Sequence, residues 1–285
     1  MGWGWVVILI AMLFLTLSCA QPAFPLPPPS GVPAAEDTAS EPTRRPGDRL
    51  TISIIYDNNK YDPRLEPRWG FSCLIEGLER TILFDTGGDS ATLLHNMKEL
   101  QIDLKEIDVV VLSHIHGDHV GGLNGLLKEN GNVKVYLPRS FPEKFKDSIR
   151  SFGAGVNEIS EAKRLMTGVY TTGELGDGIR EQSLVIITSK GLVIITGCAH
   201  PGVVNIIRKA KDIVSEERVY LVMGGFHLAG ESTARIQSII EQFRQSSVEK
   251  VAPCHCSGDE TRRQFRQAYG EGYIESGAGK IITIP

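Results

Sequence analysis

Apolar side chains beyond residue 49 fall into short runs with two different periods. Runs rich in β-branched and aromatic residues at 50–56, 71–75, 81–84, 108–112, 133–137, 184–188, 192–196, 219–223 and 281–284 lie between turn residues and predict strands. Three other sets recur at three- and four-residue spacing: Leu93, Leu94, Met97 and Leu100; Val203, Ile206, Ile207, Ala210 and Ile213; Ile236, Ile239, Ile240 and Phe243. These predict helices with one buried face. Ser189-Lys190-Gly191 separates two strands by a hairpin-length interval. Hairpins therefore mix with strand-to-helix crossovers in both halves. That mixture predicts an α/β protein, a four-layer αβ/βα sandwich in which two sheets face each other and helices cover their outer faces. Residues 138–178 show poor periodicity and collect Gly, Pro and charge, so they read as a long surface excursion of the kind that often covers a site.

The amino-terminal 47 residues follow another pattern. Residues 3–20 are mostly apolar and, as a helix, would span roughly 27 Å at about 1.5 Å per residue, enough to cross a bilayer. No charged side chain precedes Glu36. Residues 1–20 are therefore expected to form a signal peptide or membrane anchor. Thr16-Leu17-Ser18-Cys19 resembles a lipoprotein signal, and Ser18-Cys19-Ala20 also passes as a small-x-small cleavage site. Lipoprotein, secreted and anchored forms all stay open, and each places the folded part outside the cytoplasm, membrane-anchored, periplasmic or extracellular. Residues 21–47 carry eight of the chain's fifteen prolines and read as an extended linker, leaving 48–285 as the folded domain.

Composition narrows the function. With 30 Lys and Arg against 34 Asp and Glu, the chain has no overall basic field, so nucleic acid held by bulk phosphate attraction is not the expected partner. A small-molecule substrate is. Cys254 and Cys256 are too close in a strand-like segment to join each other, and no disulfide framework is indicated.

Candidate chemistry concentrates in the histidines. Ser113-His114-Ile115-His116-Gly117-Asp118-His119 follows a buried-type strand and places four ligand-type side chains within six residues. Imidazole nitrogen and carboxylate oxygen are the donors that zinc and similar ions take at about 2.0–2.2 Å. A turn at a strand end lets His114 and His116 converge on one ion and aims Asp118 and His119 at a neighbouring position.

This His-x-His-x-Asp-His string resembles the metallo-β-lactamase superfamily, and the resemblance extends over most of 48–285. Phe84-Asp85-Thr86-Gly87 looks like that superfamily's first motif, in which the aspartate supports the metal-binding loop. Gly197-Cys198-Ala199-His200-Pro201-Gly202 matches the third, and Pro253-Cys254-His255-Cys256 the last. The resemblance implies one ion on His114, His116 and His200 and a second on Asp118, His119 and His255. Zinc is the implied cofactor, as one or two ions, with iron or manganese as alternatives. Such an ion lowers the pKa of its water from about 15.7 toward about 7. Gly-Cys-Ala-His-Pro-Gly, Gly-Gly-Phe-His-Leu and Pro-Cys-His-Cys, with Trp69-Gly70-Phe71-Ser72, look like the branch of ribofuranosylaminobenzene 5′-phosphate synthase-like and dihydropterin-related proteins.

One departure stands out. The superfamily usually carries a bridging aspartate after a strand following the third motif, whereas here Tyr220-Leu221-Val222-Met223 runs into Gly224-Gly225-Phe226-His227 without a carboxylate. The site is then mononuclear or looser, or His227 takes part of the aspartate's role, or His227 faces the substrate as acid or oxyanion donor. Asp118 and His227 are the catalytic candidates. Cys198, Cys254 and Cys256 flank ligands but read better as small buried hydrophobes than as metal sulfur.

The leading expectation is a metal-dependent hydrolase acting on an ester, amide, lactone or phosphoester outside the cytoplasm. A non-catalytic metal-binding or sensor protein, or a synthase-like enzyme of the pterin-related branch, is the alternative. A di-iron redox enzyme fits less well, because its relatives typically carry a carboxylate where His116 stands.

Overall fold

The computed structural model describes residues 1–2 and 49–285. The chain runs β1 (Leu50–Asp57), β2 (Phe71–Glu76), β3 (Ile82–Phe84), α1 (Ser90–Glu99), β4 (Val109–Val111), α2 (Gly117–Val120), α3 (Leu123–Glu129), β5 (Lys134–Pro138), α4 (Glu143–Ser151) and β6 (Gly155–Ile159). It continues β7 (Glu161–Met166), β8 (Val169–Gly173), β9 (Leu184–Thr188), β10 (Gly191–Thr196), α5 (Val203–Val214), β11 (Val219–Gly225), α6 (Thr233–Gln245), β12 (Val248–Cys254), α7 (Asp259–Tyr269) and β13 (Ile281–Ile284).

Strands that are apolar at every position need cover on both faces, and the layers supply it. The first sheet has seven strands in the order β13-β1-β2-β3-β4-β5-β6, and the second has six in the order β12-β11-β10-β9-β8-β7. Odd and even residues of the same strand enter different cores. Val109 and Val111 of β4, Val193 and Ile195 of β10, and Leu221 and Met223 of β11 meet between the sheets. Val110 turns outward to Leu93, Met97, Leu126 and Ile149 of the helices on the first sheet. Ile194 and Val222 turn outward to Ile207 of α5, Ile240 and Phe243 of α6, and Phe265 of α7. The result is the expected αβ/βα sandwich.

Helix starts follow local chemistry. Asp89 caps α1 by accepting from the Thr92 N–H at 2.8 Å, and Ser232 caps α6 by accepting from the Arg235 N–H at 3.2 Å.

Three expectations are corrected. Residues 138–178 are not a surface excursion: they supply α4, extend the first sheet by β6 and the second by β7 and β8. β6 and β7 are edge strands with one wet face, so charged residues such as Glu158, Lys163 and Arg164 break the apolar run. Two further elements, β12 and α7, escape the periodicity. Pro253 lies in β12, an edge strand, where its missing N–H is tolerated, and α7 buries only Thr261, Gln264 and Phe265.

The third correction concerns the membrane. A span needs about 20 consecutive apolar residues, whereas the longest described helix, α6, has 13 and is amphipathic. Among the described residues no helix is long and apolar enough to cross a membrane. The apolar segment 3–20, Cys19 and the linker lie outside the described residues. Export, lipidation and membrane anchoring are therefore not carried forward.

Candidate metal centre

In the first sheet β3 and β4 are parallel, and in the second β10, β11 and β12 are parallel. The loops leaving their carboxyl ends carry Asp85, residues 113–119, residues 197–200, Phe226-His227 and His255-Cys256. Irregular backbone concentrates there. Asp85, Ala199, His227 and His255 have φ of 56°, 62°, 52° and 48°, four of the seven non-glycine residues with positive φ among those described. Gly197 is required by close approach, since a Cβ there would collide with Ser113 Oγ.

His114, His116 and His200 form one group of converging donors. Ser113 Oγ donates its single proton to Asp85 Oδ2 at 2.7 Å, so His114 Nδ1, 2.9 Å from Ser113 Oγ, must donate to the serine oxygen. The His114 Nε2 lone pair is then left facing His116 Nδ1 at 3.1 Å. Two ligand nitrogens on a tetrahedral zinc at about 2.0–2.1 Å stand about 3.3 Å apart. His200 Nε2 is buried and has no hydrogen-bond partner. Burial, then the charges of His119, His200 and His116, push His114 well below the ordinary imidazole range. Burial, then His227 and His116, lower His200 to about 4. Both are neutral near pH 7, as a ligand must be.

Asp118, His119, Cys198 and His255 form a second group. His119 Nδ1 contacts Asp85 Oδ2 at 2.7 Å, and His255 Nδ1 donates to Asn58 Oδ1 at 3.0 Å. The two remaining Nε2 atoms face each other at 3.3 Å, with Asp118 Oδ2 3.3 Å from His255 and 3.7 Å from His119. Such a nest draws positive charge. Burial opposes a charged His119, yet Asp85 and Asp118 hold its pKa above the ordinary value. Burial also works against an ionised Asp118, but the hydrogen bond from His255 and the charge of His119 keep it well below the usual carboxylate range. The orphaned His200 nitrogen, the His114 lone pair and the facing imidazole nitrogens of His119 and His255 suit one or two divalent ions.

The expected site residues are thus brought together, with His227 at the rim. It is exposed, and its ring centroid lies 4.4 Å from that of His200. A hydrogen bond with Cys256 raises its pKa against burial. His227 belongs with Cys198 and His200 to a third donor group.

Sequence reasoning missed Glu181 and Asp57. Glu181 is buried; its Oε1 accepts from the N–H groups of Gly197, Cys198 and Ala199 at 3.1, 3.0 and 2.8 Å, and its Oε2 from His200 N–H at 2.8 Å. Asp57 Oδ2 accepts from His255 N–H at 3.1 Å. Cys198 is buried, and its Sγ lies 3.1 Å from His119 Nε2. Trp69 is 57% exposed, with its indole 4.8 Å from the His255 ring.

Comparison with known proteins agrees with the fold. The profile of the metallo-β-lactamase superfamily matches residues 67–210. The chain belongs to that superfamily. A 7,8-dihydropterin-6-methyl-4-(β-D-ribofuranosyl)-aminobenzene-5′-phosphate synthase from Methanocaldococcus jannaschii is 33% identical, over 81% of this chain and 95% of the relative. A metal-dependent hydrolase of the β-lactamase superfamily superposes with a TM-score of 0.71 at 26% identity, over 82% of this chain and 99% of its own. A diphosphatase of the PhnP family shares the fold, with a TM-score of 0.57 at 14% identity over 83% of this chain and 97% of its own. Members of the metallo-β-lactamase superfamily usually bind metal ions, and this chain's paired donor groups suit them. About four-fifths of this chain matches these relatives over nearly their whole length, so the similarity lends no support to an export segment.

Proposed function

We propose that this chain is a metal-dependent enzyme of the synthase-like branch. Its reaction would join the 6-methyl carbon of a 7,8-dihydropterin to a ribofuranosylaminobenzene 5′-phosphate, or to a close analogue of that acceptor. The observation that carries this reading is the 33% identity to the Methanocaldococcus synthase across 95% of that relative.

The geometry suits the chemistry. Forming a bond at the pterin methyl carbon requires a leaving group on that carbon and stabilisation of the anion it becomes. His114, His116 and His200 would hold a divalent ion, which would supply Lewis acidity for that purpose. His227, exposed at the rim beside His200 and raised in pKa, is placed to donate a proton to the departing oxygen. Asp118 stays ionised and holds the second position with His119 and His255. Trp69 offers an open aromatic face next to His255 for a flat heteroaromatic ring.

A second reading is favoured by the structural neighbour that is a metal-dependent hydrolase. In it the same centre would cleave an ester, lactone or phosphoester. Incubating the zinc-loaded protein with a dihydropterin bearing a leaving group on its methyl carbon and with ribofuranosylaminobenzene 5′-phosphate separates the two. Mass spectrometry should show the coupled product, abolished by chelation and by His116→Ala. Release of the hydrolysed pterin alcohol alone, or turnover only of ester and phosphoester probes, would favour the hydrolase. Metal binding without turnover on any of these would leave a binding protein.

A further inference from the structure

We infer that the sulfur of Cys198 is a shared ligand lying between the two metal positions, in the place where the sequence lacks a carboxylate. The inference rests on the same paired donor groups as the proposed function, but not on its substrate.

Three observations carry it. Cys198 Sγ is the atom common to the group that contains Asp118, His119 and His255 and to the group that contains His200 and His227, with donor atoms in each group within 4.8 Å of one another. His200 in turn belongs with His114 and His116, so the sulfur adjoins one set of histidines through His119 and the other through His200. Cys198 Sγ is also 3.1 Å from His119 Nε2, whose ring is already fixed through Nδ1 by Asp85.

The second observation is the closed volume at Gly225, beside the turn where a carboxylate was expected. A Cβ there would lie 2.5 Å from Gly197 O, 2.7 Å from Cys256 Sγ and 3.2 Å from Cys198 Cα. The space a bridging side chain would need on β11 is already taken by the two cysteine-bearing loops.

The third is the state of the cysteines. Cys198 and Cys256 are buried and free. Cys256 Sγ is turned to Cys198 O at 3.7 Å, hydrogen-bonds with His227 and belongs to none of the donor groups. On metal binding the Cys198 thiol gives up its proton to solvent and the sulfur binds as thiolate. A soft sulfur donor selects zinc, or cobalt as its substitute, over manganese or magnesium.

Titration of the metal-free full chain with Co²⁺, followed by near-ultraviolet absorption and elemental analysis, tests this directly. A sulfur-to-cobalt charge-transfer band should grow through two equivalents, since a shared thiolate contacts both ions. Cys198→Ser should lose the band and retain one cobalt instead of two. Cys198→Asp should regain two cobalt without the band, and Cys256→Ser should keep both. A band that stops growing at one equivalent, no band at two bound cobalt, or an undiminished band in Cys198→Ser would each overturn the inference. Should the Cys198 variants fail to fold by circular dichroism, the wild-type titration still decides. None of these readouts depends on which substrate the enzyme takes.

Discussion

The two sheets contribute to one centre in opposite ways. The first delivers His114, His116, Asp118 and His119 from the loop and the short helix α2 after β4, while the second delivers Cys198, His200, His227 and His255 from the ends of three strands. Each side is organised by one buried carboxylate, and the two work differently. Asp85 grips side chains, accepting from Ser113 Oγ and contacting His119 Nδ1, both at 2.7 Å, as well as from Ser113 N–H at 2.6 Å. Glu181 grips backbone, collecting four successive N–H groups from Gly197 to His200. Ligand orientation on the first side therefore hangs on one side chain. On the second it hangs on loop shape.

The sharpest way to break this contrast is Asp85→Ala. It would strand three buried donors at once, which costs about 3–5 kcal/mol by analogy with other buried charged networks. Metal affinity should fall about 10- to 100-fold as His119 and, through Ser113, His114 lose their orienting partners. Urea melts and zinc titration check both. A loss below about 1 kcal/mol with unchanged zinc affinity would mean that Asp85 merely shapes a turn.

The same contrast explains what was legible in the sequence. His114 to His119 stand out because spacing alone brings them together, and His200 and His255 because their glycine, proline and cysteine neighbours match known motifs. Glu181 carries no such signal. It lies 16 residues before Gly197, just ahead of β9, and only the pairing of β9 with β10 brings it back to that loop. Asn58 and His255 are 197 residues apart and meet across the two sheets, one just after β1 and the other just after β12. The apolar central strands were readable because both their faces are buried, whereas β8, an interior strand ending in Thr171-Thr172-Gly173, was not. The edge strands β6, β7 and β12 were not, because a wet face or a proline interrupts the pattern.

Glu181→Gln sharpens the comparison from the second side. Replacing one carboxylate oxygen by an amide removes an acceptor from the His200 or Ala199 N–H and should cost about 1–3 kcal/mol. A pH signature accompanies it. Burial raises Glu181 from 4.5 to about 7 against the hydrogen bonds from Ala199 and His200. Between those two values the unfolded chain has released the proton and the folded chain still holds it. This group therefore makes stability fall as pH rises through that window and level off above it. The difference in melting temperature between wild type and variant, scanned from pH 4.5 to 8 without metal, isolates the effect. Parallel curves would show that Glu181 is ionised throughout and that its four N–H partners outweigh desolvation.

The smallest effect on stability is expected where the two sides touch at the surface. Trp69 sits on the loop between β1 and β2 of the first sheet, yet its indole leans on His255 at the end of β12, with ring planes 57° apart. Being 57% exposed, it contributes little to the core, so Trp69→Ala should change folding stability by no more than about 0.5 kcal/mol. If the open face receives an aromatic part of the substrate, the loss of stacking is about 0.5–1.5 kcal/mol, or about 2- to 13-fold in KM at nearly constant kcat. Trp69→Phe should recover part of it. The opposite split, with kcat reduced and KM unchanged, would assign Trp69 to holding His255 in place instead. Its role would then belong with that of Asn58, as a first-sheet residue that positions a second-sheet ligand.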